Sequence, residues 1–122
     1  MEVNKPESKT WLERAEKDLK AAKDSLVSDN LGWSAFQAHQ AVEKALKAAY
    51  IKKFKELIKT HDLALLAQKI GAEQKIIEEC AKLNSVYLDT RYPDVPADYT
   101  EEKAREFSKI AEEVLEWIKK LF

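Results

Sequence analysis

Residues 31–54 constrain the fold more than any other stretch. Within them Gln37-Ala38-His39-Gln40-Ala41-Val42-Glu43-Lys44-Ala45-Leu46-Lys47-Ala48 reads as a helix that is apolar almost all round, and such a helix must be covered by neighbours on several sides. A line of polar groups nevertheless crosses it. With residues three and four apart as neighbours, Gln37, Gln40, Lys44 and Lys47 form one ridge, with Glu43 and His39 beside it. Solvent alone does not ask for that pattern. Two later signals reinforce it: Thr60-His61-Asp62-Leu63 at a helix start, and Tyr87-Leu88-Asp89-Thr90-Arg91-Tyr92-Pro93 where another helix must stop. Together they suggest one polar site.

The remaining periodicity supplies the partners for this central helix. A first helix is expected from near Thr10, where Thr10 and Glu13 form a capping box, with Trp11, Ala15, Leu19, Ala22 and Leu26 along one stripe. It should end around Ser28 to Asn30. A lysine-rich connection follows the central helix, after which Asp62 favours a short third helix carrying Leu63, Leu66, Ala67 and Ile70, stopped by Gly71. A fourth resumes near Ala72 with Ile76, Cys80, Leu83 and Tyr87 on one face, until Pro93 prevents continuation. Pro93 and Pro96 make residues 92–99 a stiff connection. Thr100 caps the last helix, Glu101 and Glu102 suit its positive end, and Ala104, Phe107, Ala111, Val114, Ile118 and Leu121 continue the inward stripe.

The reading is all-α: an antiparallel up-and-down bundle of four long helices and one short one, in a single domain over residues 1–122 with residues 1–9 as a flexible N-terminus. Trp33 at the start of the central helix, and Trp117 and Phe122 near the end of the last, do not all fit inward stripes. Some aromatic surface is therefore expected between subunits of a homodimer.

Charge narrows the partners. The 21 basic and 22 acidic residues nearly cancel, so no global field draws the chain to nucleic acid or anionic lipid. Arg14, Arg91 and Arg105 are the only arginines, which makes bidentate grips on phosphate scarce and easily enumerated. Cys80 is the only cysteine, so neither an intrachain disulfide nor a thiolate metal cluster can form within one chain. The N-terminus has no apolar core like that of a signal peptide, and no run approaches the roughly 20 apolar residues of a membrane span. A cytoplasmic protein is expected.

At these residues the chain resembles the HEPN family, the "higher eukaryotes and prokaryotes nucleotide-binding" domains. Trp11, Ala15, Asp18, Leu19 and Ala22 are similar to its first helix, and Ala35 through Ala48 to its second. Thr60-His61-Asp62-Leu63 and Tyr87 through Pro93 supply the later signatures. The resemblance implies a five-helix bundle, usually dimeric, also similar to the C-terminal helical domain of kanamycin nucleotidyltransferase. It further implies pairing with a separate minimal nucleotidyltransferase, a role in binding nucleotides or nucleotidyl-transfer substrates, and in many pairs a toxin–antitoxin relationship. In such toxins the helical protein is a metal-independent ribonuclease, with an arginine followed by a histidine after four to six intervening residues. This chain departs from that pattern. After Arg91 the candidate positions hold Pro96, Ala97 and Asp98, and neither Arg14 nor Arg105 has a histidine at the required distance.

Each candidate has two readings. Lys44 and Lys47 receive phosphate oxygens, or lay their stems over apolar neighbours. Arg91 forks onto phosphate, or complements the negative end of its helix. Tyr92 lines the edge of the site and Tyr87 packs in the core. His61 with Asp62 orients the site or caps a helix. Gln37, His39, Gln40 and Glu43 form a buried polar network in which every polar atom needs a partner. His39 with Glu43 offers two ligands on one face, too few for a metal, so neither metal nor cofactor is expected. The combined expectation is a nucleotide-binding subunit, with catalysis in its partner. A ribonuclease with a non-standard acid and base set, acting on RNA through His39 or His61, is the first alternative, and a structural adaptor the second.

Overall fold

A computed structural model describes residues 7–91 and 99–122, with the backbone alone for residues 87–91. Five helices follow in order: α1 (Ser8–Val27), α2 (Leu31–Phe54), α3 (Leu63–Lys69), α4 (Gln74–Arg91) and α5 (Glu101–Lys119). Helix α2 packs against each of the other four, and fourteen of its 24 residues are buried. This is the helix that has no polar face to offer water. Ala35, Ala38, Ala41, Ala45 and Ala48 are fully buried along it, and their small side chains let neighbouring backbones approach closely.

Chain direction is set by cross-links between helices. Ser34 Oγ donates to the Ala22 carbonyl across 2.7 Å and Lys44 pairs with Asp18 at 2.6 Å, which makes α1 and α2 an antiparallel hairpin. Lys23 pairs with Glu112 and Lys119 with Glu16 at 2.7 Å, so α5 runs antiparallel to α1. Lys75 approaches Glu113 at 3.9 Å, tying α4 to α5. Leu46, Leu63, Leu66, Leu83, Val114, Leu115 and Ile118 fill the space between, each at most 1% exposed. The result is the expected all-α bundle, with α3 as its short element. Among the described residues no helix is long and apolar enough to cross a membrane.

The helix ends show why the boundaries fall where they do. Helix α1 begins at Ser8, not near Thr10, and Thr10 Oγ1 donates to the Glu7 carboxylate at 3.1 Å in place of the expected capping box. At its other end Asp29 takes the left-handed conformation (φ 62°). There Asn30 N donates to Ser25 O and Asp29 N to Leu26 O, closing the helix with a Schellman motif. Gly71 (φ 78°) does the same after α3, with Ala72 N donating to Ala67 O and Gly71 N to Gln68 O. Because Ala72 belongs to that motif, α4 starts at Gln74 and not at Ala72. Thr100 caps α5 as expected, its side chain accepting from Lys103 N at 3.1 Å. The expected stiff connection, with Tyr92, Pro93 and Pro96, lies outside the described residues apart from its last member, Tyr99.

Where α4 meets α5, two carboxyl groups share a contact. Burial pushes the Glu79 carboxyl up to about 7, and the hydrogen bond to Glu113 and its charge add to this, against Lys75 and Lys82. Glu79 Oε1 is itself sealed from solvent. A carboxyl with a raised folded-state value binds its proton more tightly folded than unfolded, so stability falls as pH rises from about 4.5 to about 7 and stays lowered above. Glu79→Gln, which keeps the hydrogen bond without the charge, is expected to be indistinguishable from the parent near pH 5. At pH 8 it should be more stable by about 1 kcal/mol, a figure reduced for solvent screening. Thermal melts of both proteins across this range measure the growing difference.

Candidate functional site

The polar residues of α2 diverge into two groups. Gln37 and Lys44 face α1: the Gln37 amide lies 2.7 Å from Ser25 Oγ, and the Lys44 ammonium is held by Asp18. His39, Glu43 and Lys47, one turn apart in sequence, form a separate line that is buried, with exposures of 0%, 6% and 8%. Lys47 Nζ donates to Glu43 Oε2 at 3.1 Å and lies 6.0 Å from the centre of the Trp11 ring. Gln40 sits beside the line, its Oε1 3.3 Å from His39 Nδ1.

His61 completes the cluster from another part of the chain. Its Nδ1 lies 2.9 Å from Glu43 Oε1, while His39 Nδ1 is 4.0 Å from the same oxygen. The Glu43 carboxylate is thus divided, one oxygen on Lys47 and the other facing two imidazoles. His39 is enclosed, whereas the His61 side chain is 53% exposed. His61 is therefore the member of the cluster that a ligand can reach.

The segment carrying His61 is fixed by a cap and a clamp. Asp62, the N-cap of α3, accepts from Leu65 N at 3.1 Å and its own N–H donates to Thr60 Oγ1 at 3.1 Å. Asn84 of α4 then holds the turn from the far side: its Oδ1 accepts from Leu63 N at 2.8 Å and its Nδ2 donates to Asp62 Oδ1 at 3.0 Å. Asp62 is thereby a capping residue that orients His61. Arg91 occupies the last position of α4, its side chain outside the described ones, and Tyr92 lies outside the described residues altogether.

Sequence reasoning missed Asn84 and the separation of Lys44 from Lys47. A signal for Asn84 existed, since asparagine is a poor residue for a helix interior and here interrupts the stripe of Cys80, Leu83 and Tyr87. Nothing local assigned Lys44 to Asp18, 26 residues away.

Electrostatics give the two histidines different characters. Burial holds the His39 imidazole below its ordinary value, helped by the charge of His61 and opposed by Glu43, Gln40 and the His61 backbone. His39 is therefore neutral at pH 7. The neutral form is favoured by folding, so this contribution to stability is present above about 6.5 and is lost as pH falls below it. Cys80, fully buried, has its thiol pushed up to about 12 by burial and by Glu79, which leaves it no nucleophilic role at neutral pH. Among the described residues no group of three or more His, Cys, Asp or Glu side chains is arranged to hold a metal ion. The arrangement offers polar contact through the exposed His61 imidazole, backed by the Glu43–Lys47 pair.

Comparison with known proteins places this arrangement in a family context. The HEPN domain model matches residues 8–121. The chain is 30% identical to "Putative toxin MJ1304" of Methanocaldococcus jannaschii over 131 aligned positions, covering 92% of this chain and 86% of that protein. Among solved structures it is similar to TT1696 from Thermus thermophilus, with a TM-score of 0.86 and 28% identity over 94% of this chain and 98% of that one. It is also similar to ST0689, described as an archaeal HEPN homologue, with a TM-score of 0.82 and 26% identity over 95% and 98% of the two chains. A HEPN domain protein of Thermotoga maritima shares the fold at a TM-score of 0.74 and 19% identity, over 92% and 96% of the two chains.

Proposed function

Because the chain belongs to the HEPN family, we propose that it is the helical component of a toxin–antitoxin pair. In this reading it acts in the cytoplasm with a separate minimal nucleotidyltransferase and binds a nucleotide or nucleotidyl-transfer substrate at the Glu43 cluster. The relative named as a toxin supports the setting. The observation that carries the site is the half-exposed His61 held on the buried Glu43–Lys47 pair. A buried ion pair adds little to stability compared with apolar side chains of the same volume, so its presence on the central helix points to a task. His61 meets a phosphate oxygen, Lys47 adds its charge from beneath through Glu43, and Asp62 holds the turn that carries His61; Arg91 and Tyr92 are proposed as further ligand residues. Lys44, held by Asp18 on the α1 side, stands apart from the site. Trp33 is 63% exposed and stacks edge-on with Phe36 at 5.8 Å, apolar surface that supports association of two copies.

Calorimetric titration with ATP and GTP tests the site. The parent protein is expected to bind saturably and His61→Ala to bind about tenfold or more weakly. Its stability should stay within about 1 kcal/mol of the parent, since the imidazole is largely solvated. Equal affinity in the two proteins overturns the assignment.

A second reading has its own observation: two imidazoles face one carboxylate oxygen, His39 neutral and buried, His61 open to solvent. That is a pairing from which a base and an acid for metal-independent RNA cleavage could be drawn. Cleavage in chelator that tracks the protein through purification and disappears in both His39→Ala and His61→Ala establishes it. Purified protein that never cuts RNA rejects it, and silence in both assays favours an adaptor that needs its partner.

A further inference from the structure

A second surface lies at the end of the bundle where α2 and α5 terminate. There a recess of about 350 Å³ is lined by Ala49, Lys52, Lys53, Ile70 and Leu121, with no acidic residue at its wall. Two aromatic rings stand beside its lysines. Lys52 Nζ lies 5.0 Å from the centre of the Phe122 ring and Lys53 Nζ 5.5 Å from that of Phe54; the two rings are 41% and 43% exposed.

No carboxylate among the described residues neutralises the charge here, although Lys53 Nζ also lies beside Gly71 at the end of α3. Several lysines elsewhere are tied to carboxylates, as Lys23 to Glu112, Lys44 to Asp18 and Lys119 to Glu16. Among the described residues Lys52 and Lys53 have no carboxylate within ion-pairing distance. A cation near a helix C-terminus ordinarily serves the last carbonyls, but Lys55 fills that role, its Nζ donating to Lys52 O at 3.1 Å. Lys52 and Lys53 are consecutive, so they leave the helix about 100° apart, and both line the recess.

We propose that this pole binds single-stranded nucleic acid, with one base seated in the recess and the phosphates on either side held by Lys52 and Lys53. A recess lined by apolar side chains and two cations suits a base with its backbone, and exposed rings offer stacking to neighbouring bases whatever their identity. Lysine point charges without arginine forks grip phosphate without reading sequence. The surface shares no residue with the Glu43 cluster, so the two assignments stand or fall separately.

Fluorescence anisotropy with a labelled short oligouridylate tests this on the full chain, with circular dichroism as a check on folding. The parent is expected to bind saturably, and Lys52→Glu/Lys53→Glu to bind about tenfold or more weakly. The slope of log affinity against log salt should also fall by about 1.4, the value for two single-strand phosphate contacts. Phe54→Ala, at a ring on the rim, should weaken binding with the slope unchanged. Lys9→Glu/Lys17→Glu, at exposed lysines of α1, should leave both affinity and slope as in the parent. No binding by the parent, or a charge-reversed protein with parental affinity and slope, overturns the proposal. So does capture of poly-glutamate in preference to the oligouridylate through the same lysines, which would mark the surface as one for an acidic protein.

Discussion

Replacing Glu43 with alanine is expected to destabilise the protein by about 3–5 kcal/mol, among the largest effects of any single polar substitution in the chain. The reason is what remains behind. The Lys47 side chain is 10% exposed and takes its ion pair from Glu43 Oε2, so the substitution leaves an ammonium enclosed beside Trp11 without its counter-charge. His61 loses its 2.9 Å contact at the same time. Replacing both members of the pair by apolar residues of similar volume, Glu43→Leu with Lys47→Met, removes the charge together with its partner and should recover most of the loss. Denaturant unfolding of the three proteins decides the matter. A Glu43→Ala loss below about 1 kcal/mol would show a pair already solvated.

Leu46→Ala is expected to cost a similar amount, about 3–5 kcal/mol, by a different route. Leu46 is fully buried in the core, and the helices around α2 cannot all close over the space its side chain leaves. The penalty is therefore lost transfer energy plus a cavity. The midpoint of denaturant unfolding should fall while its slope stays unchanged, because the surface exposed on unfolding is nearly the same. The two substitutions are three residues apart and separate stability from function. Leu46→Ala should retain nucleotide binding under conditions where it is folded, whereas Glu43→Leu/Lys47→Met should be well folded and lose it. A leucine variant that lost binding in step with the charge-free double variant would argue that the cluster only reports core integrity.

What the sequence made legible follows from how local each signal is. The burial of α2 could be read from one segment, because a helix lacking a polar face has a single solution. Asp62 and Thr100 could be read as caps because an N-cap side chain finds its partner three residues on, as both do at 3.1 Å. Gly71 was equally plain as a stop, but the start of α4 was not: Ala72 closes the preceding Schellman motif, a tertiary detail of a single turn. Thr10 and Glu13 fit a capping box in sequence, yet the helix starts earlier, at Ser8 with Glu7 as its N-cap, which puts Thr10 inside the first turn.

The site itself was half legible. The spacing of His39, Glu43 and Lys47 is helical and visible in one dimension. That His61 would meet Glu43 across 18 residues depends on how residues 55–62 return along α2. Lys44 and Lys47 share one ridge by spacing, but the three-residue offset turns one toward Asp18 of α1 and the other toward Glu43. Periodicity gives a residue's direction from its helix, and only the packed neighbours decide what it meets there.

The central claim is that His61, poised on the Glu43–Lys47 pair, is where a nucleotide is bound. The chain contains only two histidines, so a nitrogen-15 spectrum of the imidazoles recorded during titration with ATP reports on the cluster almost alone. Saturable movement of the His61 ring nitrogens, with an affinity matching calorimetry and a smaller response at the enclosed His39, is the expected result. Calorimetric saturation while both imidazoles stay fixed, or no binding at all, would contradict it.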